Sequence, residues 1–276
     1  MALMVNTNQS SLASQRLLNN ATAGLSSTFE KLSSGYRINR AADDAAGLVI
    51  SGTLTNQVLA LNQAVRNAND AVSLVQVTDS AMDEVANNLQ RMRVLTIQAE
   101  NGLNTEVDLE ALQQEFDQLR QSIDSIATNS EFAGIKLLDG TAGELTFMIG
   151  SEAGQKKVIT LADDFRVGAD GLDLAELDLL EDDTETILAG IDDALLQIDS
   201  ARTDFGSIQN ALQATMKNLS NVSENVSASR SRIKDTDYAK ETTELTRTQI
   251  IQQSSISVLA QANQRPQAAL LVLDSG

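Results

Sequence analysis

The chain contains no cysteine, no histidine and no tryptophan, a single proline (Pro266), and only 3% aromatic residues. Each absence removes a class of function. Without Cys or His there can be no Cys/His zinc site, no haem or iron–sulfur ligation, no Ser-His triad and no catalytic thiol. Catalysis would have to rest on carboxylates, Lys, Tyr or Ser/Thr alone. The scarcity of rings argues against a large compact core built on aromatic side chains. No apolar run approaches the ~20 residues of a membrane span. Residues 1–10 lack the basic and apolar regions of a secretory signal peptide. By these rules alone the protein reads as soluble and cytoplasmic. Freedom from cysteine fits any compartment, and it also suits a chain that must cross membranes without forming unwanted disulfides.

What is present is 276 residues that are 42% hydrophobic, enough apolar content to fold. The formal net charge is −18, and it is unevenly spread. Residues 101–150 carry −7 and residues 151–200 carry −11, which together equal the whole net charge. Residues 1–50 and 201–276 carry +1 each, and residues 51–100 carry −2. An acidic balance speaks against a general nucleic-acid binder. The nearly neutral ends, rich in Ala, Ser, Asn, Gln and Leu, have little charge repulsion to stop copies associating.

Periodicity is the stronger signal. Val58, Leu61, Val65, Ala68, Val72, Val75, Asp79, Met82, Ala86 and Leu89 recur at alternating spacings of three and four. That is a heptad seam broken only at Asp79, which either fixes register as a buried polar residue or sits exposed where the seam drifts. The pattern predicts a helix from about Asp44 to Glu100, roughly 85 Å long, stopped at Asn101-Gly102-Leu103-Asn104. A second helix follows, opened by Thr105 and Asp108 at capping-box spacing, with a seam of Leu109, Leu112, Phe116, Leu119, Ile123 and Ile126. A third begins near Thr184 and keeps its heptads from Ile187 to Ile233. Strict 3.5-residue repeats predict left-handed supercoiled packing.

Between the second and third helices, 145–150 and 157–161 are short β-branched runs that read as a hairpin, followed by an acidic, turn-rich stretch to Asp183. No other β region is evident. Leu18, Leu25, Phe29 and Leu32 form an apolar stripe near the N-terminus, and Leu245, Ile251, Val258, Leu259 and Ala262 form one near the C-terminus. Isolated helices of this kind are marginal in water, so the ends are expected to pair with each other, with copies of themselves, or both. Pro266 is expected to limit or kink the last helix. The fold class is therefore mainly α: a long antiparallel supercoiled helical rod with a small β-hairpin region at about 140–183, both termini pairing as helices.

Sharper chemistry is not supported. Asp163-Asp164, Asp182-Asp183 and Asp192-Asp193 are carboxylate pairs, but a rod offers no cleft to set two of them across a substrate. Asp170-Gly171-Leu172-Asp173 lacks the spacing of a calcium loop. Asn-x-Ser/Thr triplets at Asn218, Asn221 and Asn225 lie on a continuous helical pattern and read as chance. No cofactor, metal, membrane or nucleic-acid partner is expected, and the chain does not read as an enzyme.

Recognisable motifs stand at both ends of the sequence. Residues 32–48, LSSGYRINRAADDAAGL, and residues 1–8, MALMVNTN, resemble the N-terminal signature of bacterial flagellin. Residues 229–239, SRSRIKDTDYA, and residues 257–267, SVLAQANQRPQ, resemble its C-terminal motifs. The resemblance covers roughly 1–145 and 185–273. It implies a short family member lacking the variable outer domains. Residues 1–44 and 234–276 would be the two halves of an inner-tube helical domain, and 45–233 a helical rod domain bearing the hairpin. It further implies a structural subunit that polymerises with itself into the flagellar filament for motility. Such a subunit would be exported unfolded through the flagellar type III pathway and secreted outside the cell, which displaces the cytoplasmic reading. The alternative is a hook–filament junction protein with similar ends. An export chaperone and a filament cap are implied partners. Residues 89–98 also resemble the segment recognised by the animal Toll-like receptor 5, which would make Arg91, Leu95 and Glu115 the contacts, with Val94 in place of the usual Glu. The self-assembly candidates are Leu18, Leu25, Phe29, Leu32, Ile251, Val258 and Leu259.

Overall fold

The structure is a computed structural model that describes residues 7–274 apart from 153, 169–170 and 181. Five helices carry most of the described chain. Helix α1 spans Gln9–Ser34, α2 Ala45–Ala99, α3 Glu106–Asn129, α4 Thr184–Lys234 and α5 Tyr238–Asp274. Strands β1 (Glu131–Phe132) and β2 (Ile135–Lys136) form one antiparallel pair, and β3 (Gly143–Met148) and β4 (Lys156–Leu161) form another. The chain divides into two compact units: a terminal unit of 1–56 with 225–276, and a central unit of 57–224.

Helix ends follow local chemistry. The Asn8 side chain accepts the Ser11 N–H at 3.2 Å and opens α1. Gly35 closes it at φ 73°, in the left-handed region that glycine enters without a Cβ penalty, and its N–H bonds Lys31 O. Thr105 and Asp108 form a complete capping box at the start of α3. There the Asp108 carboxyl is held below the usual carboxylate range, first by the Thr105 hydroxyl and then by its backbone N–H. Helix α5 continues as backbone through Pro266 to Asp274.

In the central unit α2 and α4 run antiparallel. Asn62 accepts a hydrogen bond from Ser223 at 3.1 Å, Arg93 pairs with Asp192 at 2.9 Å, and Arg202 reaches both Asp79 and Asp83 at 2.9 Å. Asp79 is therefore a half-exposed register contact to α4, partly combining the two readings of its place in the seam. The heptad positions Leu61, Ala68, Val75, Met82 and Leu89 are buried, as are Ile187, Ile191, Ile198, Phe205 and Leu212. Helix α2 also buries a second face, Ala71, Leu74, Val85, Met92 and Leu95, because α3 and the β region join the same core as α4. Two hydroxyls in that core, Thr78 and Thr96, bond the carbonyls of Leu74 and Met92 at 2.9 Å, so burial leaves neither unsatisfied.

The larger hairpin pairs Leu145 with Ile159 and Phe147 with Lys157, and Ile159 is fully buried. The β1–β2 pair is an addition to the sequence expectation. Its turn is made by Ala133 at φ 52° and Gly134 at φ 82°, the two successive positive angles of a primed hairpin turn. The acidic stretch after β4 is tied down by Phe165, Val167, Leu172 and Leu174, all buried, and Phe165 N–H bonds Leu138 O at 2.8 Å.

In the terminal unit α1 and α5 lie antiparallel. Asn8 donates to Ala262 O at 2.7 Å, Gln252 to Thr22 Oγ1 at 3.3 Å, and Lys31 pairs with Glu241 at 3.8 Å. A clasp joins the segment after α1 to the end of α4. Arg37 N–H bonds Lys234 O at 2.7 Å, its guanidinium bonds Ile233 O at 2.6 Å, and Thr236 N–H bonds Gly35 O at 3.0 Å. The Lys234 ammonium lies 4.3 Å from the Tyr36 ring centroid, a cation–π contact.

Candidate self-assembly surface

The heptad grammar of α1 and α5 decides what each helix keeps for its partner. In α1 the buried positions are Ser14, Ala21 and Thr28, with Leu18, Leu25 and Leu32 half-buried between them. In α5 they are Thr248, Ser255 and Ala262, with Leu245 and Leu259 half-buried. Small side chains on the seam let the helices approach, and their hydroxyls stay satisfied: Ser14 bonds Ser10 O at 2.9 Å and Thr248 bonds Glu244 O at 2.6 Å.

Further large apolar side chains lie outside the seam. Leu12, Leu17, Phe29, Ile250, Ile251, Ile256 and Val258 are all exposed, with Leu17 at 57% and Ile250 at 61%. Leu17, Ile250, Ile251 and Val258 line a groove of ~330 Å³ between the two helices, floored by Ser14 and Ser255. Covering such side chains releases about 25 cal/mol per Å², and contiguous exposed apolar surface marks an association face.

The seven assembly candidates read from sequence therefore separate into two sets. Leu18, Leu25, Leu32 and Leu259 sit on the seam within the chain, whereas Phe29, Ile251 and Val258 face outward. Sequence reading missed Leu12, Leu17, Ile250 and Ile256, which fall outside the stripe it selected. Their signal was available: each is a large aliphatic residue off the heptad seam.

In the central unit Arg91 and Glu115 are brought together across α2 and α3 in an ion pair of 2.5 Å, both partly exposed. Leu95, one turn further along α2, is fully buried and so is not an exposed contact, and Val94 is exposed. Asp43, in the segment between α1 and α2, accepts the N–H groups of Arg40 and Asn39, which hold its carboxyl below the usual range. Among the described residues no cluster of His, Cys, Asp or Glu is arranged to hold a metal ion, and no helix is long and apolar enough to cross a membrane.

Comparison with known proteins agrees with this architecture. The profile of the bacterial flagellin N-terminal helical region matches residues 5–143, and that of the C-terminal helical region matches 188–273. Flagellin B of Vibrio cholerae is 36% identical over 375 aligned positions, covering 99% of this chain and 100% of the relative. The alignment is longer than this chain's 276 residues, so about a hundred of its positions face gaps here. The flagellin of Halalkalibacterium halodurans is 44% identical over 245 positions, covering 88% of this chain and 90% of the relative. Among solved structures, Bacillus cereus flagellin superposes with a TM-score of 0.50 at 32% identity, over 56% of this chain and 88% of that one. A putative flagellar hook-associated protein of Vibrio parahaemolyticus shares the fold, with a TM-score of 0.60 at 17% identity over 70% of this chain and 100% of that one. With both ends matched and the whole length covered by relatives, the chain belongs to the bacterial flagellin family.

Proposed function

We infer that the chain is a structural subunit of a bacterial flagellar filament and that it polymerises through the outward apolar side chains of its terminal unit. The observation that carries the mechanism is the burial pattern of α1 and α5: small residues fully buried on the seam, Leu17, Phe29, Ile250 and Ile256 exposed outside it. A surface of this kind on one copy, meeting a different surface of the next without closing a ring, generates a helical polymer. The hook–filament junction alternative is not favoured, since the flagellin profiles match both ends and flagellin relatives span the full length.

Several finer statements belong to the same reading. Residues 1–44 and 234–276 would line the inner tube and 45–233 the layer around it. The subunit would leave the cell unfolded through the flagellar type III pathway, served by an export chaperone and a filament cap, and act outside the cell. Membership of a structural family supports a role without catalysis. Recognition by Toll-like receptor 5 would use the Arg91–Glu115 pair directly, with the buried Leu95 supporting the backbone under it.

Deleting residues 1–20 or 250–276 tests the assembly reading. Each truncated chain is expected to keep the central unit folded by circular dichroism and to form no filaments by electron microscopy. Filaments of normal length from either truncation overturn it.

A further inference from the structure

We propose that Asn101 is a site of spontaneous deamidation, which the fold leaves open while closing the same reaction at neighbouring asparagines. Asn101-Gly102 is the single Asn-Gly pair in the chain, and it lies in the exposed turn between α2 and α3. The reaction requires the backbone nitrogen of the following residue to reach the asparagine Cγ. Gly102 N–H makes no hydrogen bond among the described residues, and glycine has the backbone freedom that ring closure needs. Asn101 Oδ1 accepts the Leu103 N–H at 3.2 Å, which polarises the side-chain amide and is placed to stabilise negative charge developing on that oxygen.

Two nearby asparagines supply the contrast. After Asn129, the Ser130 N–H is engaged by Ile126 O at 3.0 Å. After Asn104, the Thr105 N–H is engaged by Asp108 at 3.0 Å, and Asn104 Nδ2 itself donates to Gln98 O at 2.7 Å and Ala99 O at 3.1 Å. Attack at either site must first break a bond that Asn101 does not have.

The step balances with water as the sole co-reactant. Gly102 N gives its proton to hydroxide or water and bonds Asn101 Cγ. The Cγ–Nδ2 bond breaks and the nitrogen takes a proton back from water and leaves as ammonia, giving a cyclic imide. Water then opens either imide carbonyl, leaving aspartate or isoaspartate at position 101. The product places a new carboxylate beside Glu100 at the C-terminal end of α2, where the helix dipole disfavours negative charge. Glu100 there accepts a hydrogen bond from Thr184, the first residue of α4, so the new charge falls on a corner that ties two helices of the central unit. The proposal stands independently of the assembly reading.

The full-length chain, incubated in neutral to alkaline buffer and sampled over time, provides the test. Trypsin releases 94–120 and 121–136, and electron-transfer fragmentation locates each mass gain and separates aspartate from isoaspartate. Conversion at Asn101 is expected to run more than about tenfold faster than at Asn104 or Asn129, as a mixture of both products, and to rise with hydroxide concentration. In urea, Asn104 and Asn129 should accelerate while Asn101 changes little. Gly102→Ala, whose added Cβ meets nothing within 4 Å, should keep the helical spectrum and slow the reaction. Similar rates at the three positions, acceleration of Asn101 in urea to match the others, or aspartate without isoaspartate overturns the proposal.

Discussion

The terminal and central units use the same heptad spacing with opposite chemistry. In 57–224 the buried positions include many large apolar side chains, exemplified by Leu89, Met92, Ile198 and Phe116, beside smaller ones such as Ala68 and Ala194. In 1–56 with 225–276 the fully buried positions of α1 and α5 are Ser, Ala and Thr, the seam leucines Leu18, Leu25, Leu32, Leu245 and Leu259 are only half-buried, and other large aliphatics such as Leu17 and Ile250 are exposed. Fully burying a Leu or Phe is worth ~1.5–3 kcal/mol, more per residue than small side chains and half-buried leucines supply. The central unit is thus held by its own core. The terminal unit holds two helices in register and leaves Leu12, Leu17, Phe29, Ile250, Ile251, Ile256 and Val258 exposed. Spacing tells which residues share a face; side-chain size tells whether that face is satisfied within the chain.

The largest test of this contrast is an all-or-none loss. Phe29→Ser combined with Ile250→Ser should abolish filaments under conditions where the parent chain polymerises, while the monomer's urea unfolding curve is unchanged; filament growth from the double variant, seen by electron microscopy, breaks the comparison. Next, Phe116→Ala should cost about 3–5 kcal/mol in urea unfolding, whereas Phe29→Ala should stay within ~0.5 kcal/mol. Equal losses at the two positions would mean the units do not differ in the way described.

Two smaller effects sharpen the account of the central unit. Thr105→Ala should cost about 0.5–2 kcal/mol by removing the hydroxyl that caps α3. The box also has a pH signature. The Asp108 carboxyl is depressed in the folded state, so its contribution is present above the ordinary carboxylate pKa and is lost as pH falls through the depressed value. Asp108→Asn should therefore flatten the acid side of a stability–pH profile measured by thermal melting. The smallest effect is expected at Arg202→Met: its pairs with Asp79 and Asp83 are partly exposed and should be worth ~0–1 kcal/mol, fading as salt is added to the melt.

Much of the fold was legible because heptads are local and redundant. The seam from Val58 to Leu89, the Thr105–Asp108 box and the start of α4 at Thr184 all lie where the pattern put them. What escaped depends on neighbours the pattern does not contain. The second buried face of α2, with Leu74, Met92 and Leu95, exists because three elements pack around one helix. The β1–β2 turn rests on a positive φ at Ala133, a residue with no turn signal. Phe165, Val167, Leu172 and Leu174 were hidden by the charge of their surroundings, since a net count of −11 for 151–200 describes the solvent side only. The candidate surface was half legible. An amphipathic stripe named Leu18, Leu25 and Leu32 correctly as one face of α1, but only the packing shows that this face is already taken by α5.

The clasp between Arg37 and the Ile233–Lys234 carbonyls joins residues 196 apart. Nothing local can nucleate it. Loop closure over so long a stretch is slow when it must be made from an open coil. If α2 and α4 first zip as far as Asn62 and Ser223, only residues 38–61 and 224–232 remain between the two sides. On that route the middle of the chain would fold first and its two ends meet last, so the clasp is a late contact that closes a frame already built.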